Sequence, residues 1–266
     1  TKPACAEPPS NYSPLKVPGT VVKDIDGLEA GTNHGRAADK YVYSASVVNQ
    51  WLEKPSTQPK NKKIVFVTFD DGPTTKFTGE QLDNLEKAGA RATFFMIPPQ
   101  MRDVGKNMLS RSLKMGNALA IHSYSHDYKY LYHGSAANKA KHISCDWDWA
   151  MAQSRAILGS NYFSSAFRYP GGHMSWTNLS QADATLAKRG VGWIDWNAMS
   201  GDADAQRPTT VPGYLQMVKK SIKESNNPNV VVILNHDTYG KQMTAKAMPS
   251  ILAWLKSQGY EFGVIA

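Results

Sequence analysis

From Lys63 onward the chain alternates short apolar runs with polar loops and amphipathic stretches. The apolar runs are "IVFVTF", "ATFFMI", "ALAI", "SAFRY", "GVGWIDW", "VVVIL" and "YEFGVI". Their brevity and their content of β-branched and aromatic residues predict buried strands. Between them, "TGEQLDNLEKAG", "GKNMLSRSLKMG", "CDWDWAMAQSRAILG", "NLSQADATLAKRG", "PGYLQMVKKSIKES" and "MPSILAWLKSQG" predict helices. Several of these end at Gly, which closes a helix by taking the left-handed conformation. Strands alternating with helices predict an α/β fold with a parallel sheet and outer helices. The number of units favours a barrel over an open sheet.

The first part of the chain has a different pattern. "TKPACAEPPSNYSPLKVPGT" is rich in Pro and Ser and predicts extended coil. "AADKYVYSASVVNQWLEK" is expected to form one amphipathic helix, with Val42, Ala45, Val48 and Leu52 near helical spacing. "PSTQPKNKK" reads as a linker. The expected organisation is an N-terminal extension and linker over residues 1–61, packing on or leading into a main domain over 62–266.

Composition narrows the function classes. Hydrophobic residues make up 41% and charged residues 20% of 266, as in a soluble globular protein. No apolar run approaches the roughly 18 residues of a membrane span, and no signal peptide is visible. The sequence starts at Thr1, so a mature or trimmed chain is expected. A net charge of +8 points to anionic surroundings, such as acidic wall polymers, or to an inert basic surface. The Lys and Arg residues are scattered and not interleaved with aromatics, which argues against nucleic acid. Two cysteines, Cys5 and Cys145, exclude a four-thiolate metal site and a Cys-x-x-Cys pair. They form either one disulfide in an exported protein or two free thiols.

In parallel α/β folds the chemistry gathers at the carboxyl ends of the strands. Asp70 and Asp71 follow the first run, and His122 and His126 follow "ALAI". Arg168 ends "SAFR", Asp202 follows "GVGWIDW", and His236 and Asp237 follow "VVVIL". Two histidines four apart share one face of a helical turn and can share a metal. With one aspartate they make a set that leaves positions open for water and substrate. Zinc is the first expectation for these N and O ligands; cobalt, nickel and manganese are compatible. A metal also accounts for adjacent acids: one binds the cation, and the other stays ionised beside it as a general base. The alternative is a pair of acids capping the next helix. His133 and His142 match no strand end and are expected on the surface.

The motifs resemble those of the polysaccharide deacetylases of carbohydrate esterase family 4. "TFDDGP" at 68–73, "ATFFMI" at 92–97, "HSYSH" at 122–126, "RYPGG" at 168–172, "DWNAMSGDA" at 195–203 and "ILNHD" at 233–237 occur in family order. The likeness covers about residues 62 to 266. It implies a distorted (β/α) barrel that removes acetyl groups from polysaccharides by metal-assisted hydrolysis. By position, it implies Asp71, His122 and His126 as metal ligands, Asp70 as general base and His236 as general acid. Arg168 would orient Asp70, Asp202 would hold His236, Leu234 would line the acetyl pocket, and the backbone at Gly171 would meet the oxyanion.

Three positions depart from the family pattern. Gly171 stands where Tyr is usual, which would leave the groove wall open. Met199 stands where Asp is common, and Ala203 where Trp is common; Trp196 or another ring would have to fill the pocket. Among the aromatics, Tyr124, Tyr169 and Trp176 are expected to meet sugar, while Trp147 and Trp149 are expected in the core. His173 is expected in solvent or at substrate, Asp204 in solvent, and Asp237 in a capping or orienting role. The form of the motifs is similar to Gram-positive peptidoglycan N-acetylglucosamine deacetylases. The expectation is a secreted, monomeric, cell-wall enzyme acting on peptidoglycan. The alternatives are a chitin-oligomer or xylan deacetylase, and a non-catalytic carbohydrate-binding relative.

Overall fold

Strand β2 (Ile64–Asp70) is buried at every position and has neighbours on both sides. The computed structural model describes residues 20–266. In chain order the elements are β1 (Val42–Tyr43), α1 (Ala45–Glu53), β2, α2 (Thr75–Ala88), β3 (Ala92–Met96), α3 (Lys106–Lys114), β4 (Ala118–Ile121), α4 (Tyr128–Tyr132) and α5 (Ala136–Leu158). They continue with β5 (Ala166–Phe167), α6 (Ser180–Lys188), β6 (Gly192–Trp193), β7 (Ala198–Met199), α7 (Val211–Glu224), β8 (Val230–His236), α8 (Gln242–Ser257), β9 (Glu261–Phe262) and β10 (Val264–Ile265). The main sheet runs β6-β5-β4-β3-β2-β8-β7, with β9 also on β2, and every pairing in it is parallel. It curls into the expected distorted barrel with helices outside.

The pleat divides the strands into two faces. Ile64 and Phe66 of β2, Phe95 of β3, Ala120 of β4, Ala166 of β5 and Val230 and Val232 of β8 share one apolar cluster in the interior. Val65, Val67, Phe69, Phe94, Leu119, Ile121, Phe167, Val231 and Ile233 have the other parity and pack with the helices. Side chains alternate with period 2. Continuing the inner parity toward the carboxyl ends therefore reaches Asp70, His122, Arg168 and His236. One rule of backbone geometry changes the interior from apolar to polar at one end of the barrel.

The other end is closed by the segment before β2. The single helix expected over residues 37–54 is instead a 3-10 turn (Arg36–Tyr41), β1 and α1. The break occurs because Val42 and Tyr43 pair in parallel with Val264 and Ile265 of β10. Ser44 then caps α1, its hydroxyl accepting from Val47 N at 3.2 Å. Ala45 and Val48 join the interior cluster. Asn33 ties in further, its side chain donating to the Ile265 carbonyl at 3.3 Å and its own carbonyl accepting from Leu119 N.

Three other elements differ from the pattern-based reading. Helix α5 begins well before Cys145, at a Ser135 cap whose hydroxyl accepts from Asn138 N. Helix α8 begins before Met248 and carries Pro249 inside it, because Thr244, Ala245 and Ala247 are buried against neighbours. Strand β7 is too short to show as an apolar run; its pairing with Ile233 and Leu234 of β8 creates it. Cys145 is disulfide-bonded; Cys5 lies outside the described residues. Among the described residues no helix is long and apolar enough to cross a membrane.

The plug generates a stability prediction. Val48 has no exposed surface while Val47 is 41% exposed. Val48→Asp would bury an unpaired carboxylate and should cost several kcal/mol, about 3 or more, in urea unfolding. Val47→Asp should stay within about 0.5 kcal/mol of the parent. Equal effects would contradict the placement of α1.

Candidate active site and metal centre

The register of the sheet sets the level of the polar ring. Asp70 pairs with His236 across β2 and β8, and Ile121 pairs with Phe167 across β4 and β5. His122 and Arg168 therefore leave their strands side by side. Arg168 has no exposed surface. Its Nη1 donates to Asp70 Oδ1 at 2.9 Å and to Thr68 Oγ1 at 2.7 Å. Its Nε and Nη2 donate to the carbonyls of Ile194 and Asp195. Its Cζ lies 4.2 Å from the Phe95 ring centroid and 5.4 Å from that of Trp196. A buried guanidinium is tolerable only when paired and hydrogen-bonded, and this one is both.

Asp71, His122 and His126 converge. Their ligand atoms all lie within 4.8 Å of one another. Asp71 Oδ1 is 3.2 Å from His122 Nε2 and 3.2 Å from His126 Nε2. It is buried and has no hydrogen-bond partner. His122 Nδ1 is 2.7 Å from the Arg168 carbonyl, which can only accept, so Nδ1 carries the proton. In the neutral ring this leaves Nε2 as a lone pair facing a carboxylate oxygen. Two acceptors that close, beside a second imidazole, fit a divalent cation between them. Burial by itself would raise the Asp71 pKa, but the contacts with His122 and His126 outweigh it and hold the carboxyl far below the usual range. Burial likewise opposes the charge on His126, and Asp71 overrides it to raise that imidazole.

Backbone geometry supports the same cluster. Among the described residues five non-glycine residues have positive φ, and three are asparagines, which tolerate it. The other two are Asp71 (φ 76°) and His126 (φ 49°). Strain of this kind concentrates at functional sites. Gly72 lets the loop fold back, since a Cβ there would lie 2.5 Å from the Asp237 carboxylate oxygens. Asp237 ties β8 to the start of α2: Thr78 Oγ1 donates to its Oδ2 at 2.6 Å, and its carbonyl accepts from Thr74 Oγ1 at 2.8 Å. Burial pushes its pKa up to about 7.

His236 borders the cluster from β8. Its Nε2 is 3.9 Å from Asp71 Oδ2, and its Nδ1 donates to Asp202 Oδ1 at 2.8 Å. Asp202 also accepts from His236 N and Thr244 Oγ1, while its carbonyl accepts from Lys241 Nζ. Burial opposes the imidazolium, but Asp202, with Asp70 and Asp71 behind it, pushes its pKa up to about 9. Asp70 Oδ2 lies 3.8 Å from His122 Nε2. A carboxylate and an imidazole whose pKa is raised thus border one set of N and O donors, each beside a different member of it.

The polysaccharide deacetylase family model matches residues 57–188. A solved Streptococcus mutans CE4 esterase superposes with a TM-score of 0.81 at 38% identity, covering 92% of this chain and 100% of that one. This chain belongs to the polysaccharide deacetylase family. Among curated relatives, the bifunctional xylanase/deacetylase of Pseudobutyrivibrio xylanivorans is 30% identical over 79% of this chain. The chain spans about a third of that protein, 31% of its length. A Bacillus cereus peptidoglycan-N-acetylglucosamine deacetylase is 28% identical over 76% of this chain and 69% of its own.

The aromatic assignments need correction. Tyr124 and Tyr169 have 0% and 1% exposure and belong to the sheet–helix core, so neither offers a face to sugar. Tyr169 has the outer parity, and its hydroxyl donates to Asp183 on α6 at 2.7 Å. Trp176 is half-buried, stacked on Tyr132 at 4.0 Å, with its indole N–H donating to the Pro170 carbonyl. His173 stacks on Trp193 at 3.7 Å and pairs with Asp183 at 2.7 Å, which holds it half-buried. His142 is also half-buried, stacked on Tyr130 at 4.2 Å, while His133 is exposed. Leu234 is half-buried, two residues before His236, and Gly171 lies on the loop after Arg168. The wall at Gly171 is closed: a Cβ there would meet Trp176 Nε1 at 3.2 Å and Tyr128 Oη at 3.3 Å. Trp196 lies against Gly172 and near Arg168, so it fills part of the barrel mouth; Met199 is in β7 and Ala203 is exposed.

Sequence reasoning missed Asp146. This fully buried acid on α5 accepts four hydrogen bonds, from Ser123 Oγ, Tyr124 N, Ser125 N and Ser125 Oγ, at 2.6–2.9 Å. Ser123 Oγ in turn accepts from His126 N. Burial nevertheless keeps the Asp146 carboxyl above its ordinary value. Its signal was an acid between Ile143 and Ala150 on the buried stripe of the helix. Asp146→Ala should weaken zinc affinity about 10–100-fold, read by competition with a chromophoric chelator. Ser125→Ala should weaken it less while sparing the fold. Unchanged affinity in both would remove Asp146 from this role.

Proposed function

We propose that this chain is a metal-dependent hydrolase that removes N-acetyl groups from N-acetylglucosamine units of cell-wall peptidoglycan, releasing acetate. The observation that carries the reading is that Asp70 and His236 both border the Asp71–His122–His126 set, Asp70 at 3.8 Å from His122 Nε2 and His236 at 3.9 Å from Asp71 Oδ2. Bound there, a divalent cation, with zinc the first expectation, supplies Lewis-acid charge to the acetyl carbonyl and its developing oxyanion. Asp70, held by Arg168, takes the proton of the attacking water. The backbone N–H at Gly171 donates to the oxyanion. His236, held charged by Asp202, delivers a proton to the sugar nitrogen as the C–N bond breaks. An amine leaves poorly as an anion, so a committed acid favours amide over ester substrates. Relatives with peptidoglycan deacetylase names and a net charge of +8 suited to an anionic wall support the same polymer. Action outside the membrane is part of the proposal, and a disulfide-bonded Cys145 is consistent with it.

The test is acetate release from purified peptidoglycan with added zinc, beside chitin oligomers and acetylated xylan. Peptidoglycan should be the preferred substrate, and Asp70→Asn should lower kcat by about 10²–10⁴-fold. Release from xylan alone would replace the substrate, and no release from any polymer would overturn the hydrolase reading. The pH profile tests the acid. His236 keeps its proton below about 9, so kcat/KM should fall as pH rises through that value. Asp202→Asn removes the group that raises it, and the alkaline limb should move down toward 6.5, the ordinary histidine value. A limb unmoved by the substitution would contradict the assignment.

A further inference from the structure

Gly171 and Gly172 have φ of 80° and 89°, so the loop after Arg168 turns tightly where side chains are disfavoured. The volume beside Gly171 is taken by rings from elsewhere. Tyr128 supplies one of them, and its position is fixed from its own side of the groove. It is the first residue of α4, whose cap Asp127 accepts from Lys129 N and Tyr130 N. Its ring meets Trp176 edge-on at 5.1 Å and lies 5.5 Å from the His126 ring, tilted by 34°. Its hydroxyl lies 3.3 Å from where a Cβ on Gly171 would stand. Burial first, then the charges of Asp71 and Asp70, keep the phenol neutral.

Tyr128 is nevertheless 44% exposed, while Tyr132 behind it is 8% exposed. The ring is therefore clamped by Trp176 and His126 and open elsewhere. A clamped aromatic has little rotamer freedom left to lose on binding, which is the property of a recognition platform. Pyranose rings present a flat face of C–H bonds that matches such a surface. We propose that Tyr128 is the ring on which a pyranose unit of the glycan seats beside His126, substituting from α4 for a ring that Gly171 does not supply. The proposal rests on the glycan-deacetylase reading, and it places the recognition in the ring rather than in the hydroxyl.

Binding can be read without turnover. In zinc-loaded protein carrying Asp70→Asn, calorimetric titration with soluble peptidoglycan glycan strands and with N-acetylglucosamine tetramer would give the parent affinity. Adding Tyr128→Ala should weaken binding by about tenfold, while adding Tyr128→Phe should leave it within about twofold. Zinc stoichiometry and thermal midpoint should match across the three proteins. Equal affinity of the Ala and parent proteins, equal loss in Phe and Ala, or no binding of either glycan would each overturn the proposal. Acetate release by the chain without substitutions is scored separately. Failure of the deacetylase reading therefore shows as absent turnover, and failure of the platform shows as an unchanged dissociation constant.

Discussion

A guanidinium with no access to water organises the functional end of this barrel. Arg168 donates to β2 through Thr68 and Asp70, and to the segment after β6 through Ile194 and Asp195. Its own carbonyl fixes the His122 ring. A buried charge has no alternative to these partners, because water cannot replace them. One residue therefore couples the orientation of Asp70, the tautomer of His122 and the spacing of three strand ends. The neighbouring rings of Phe95 and Trp196 close the remaining volume around it.

The two ends of the barrel are built by the same pleat to opposite purposes. Toward the amino ends of the strands the inner parity is aliphatic and aromatic, and α1 with Val48 seals it. Toward the carboxyl ends the same parity carries Asp70, His122, Arg168 and His236. The apolar layer fixes the strands, so the polar layer inherits their register rather than having to assemble itself. Residues that break the pattern do so through the backbone: Asp71 and His126 sit in left-handed geometry and turn back toward residues of neighbouring strands.

Most of this architecture was legible because it depends on local periodicity and on residues that end apolar runs. The strands β2, β3 and β4, the parallel sheet and the convergence of the strand ends all follow from such signals. What was not legible depends on distant partners. The 37–54 segment splits because Val42 and Tyr43 meet β10, and β7 exists because β8 is beside it. The sugar-facing role given to Tyr124 and Tyr169 failed because adjacency to a motif was weighed and strand parity was not. Asp146 and Tyr128 act through loops they reach only in three dimensions, although the position of Asp146 on a buried helical stripe was a readable warning.

The central claim is that Asp71, His122 and His126 hold one divalent cation at the mouth of the barrel. Anomalous diffraction at the zinc edge, from crystals of the full chain grown with zinc, tests it most directly. The account predicts a single strong peak about 2.0–2.2 Å from one oxygen of Asp71 and from both Nε2 atoms. A peak elsewhere, or one that omits any of those three side chains, would contradict it.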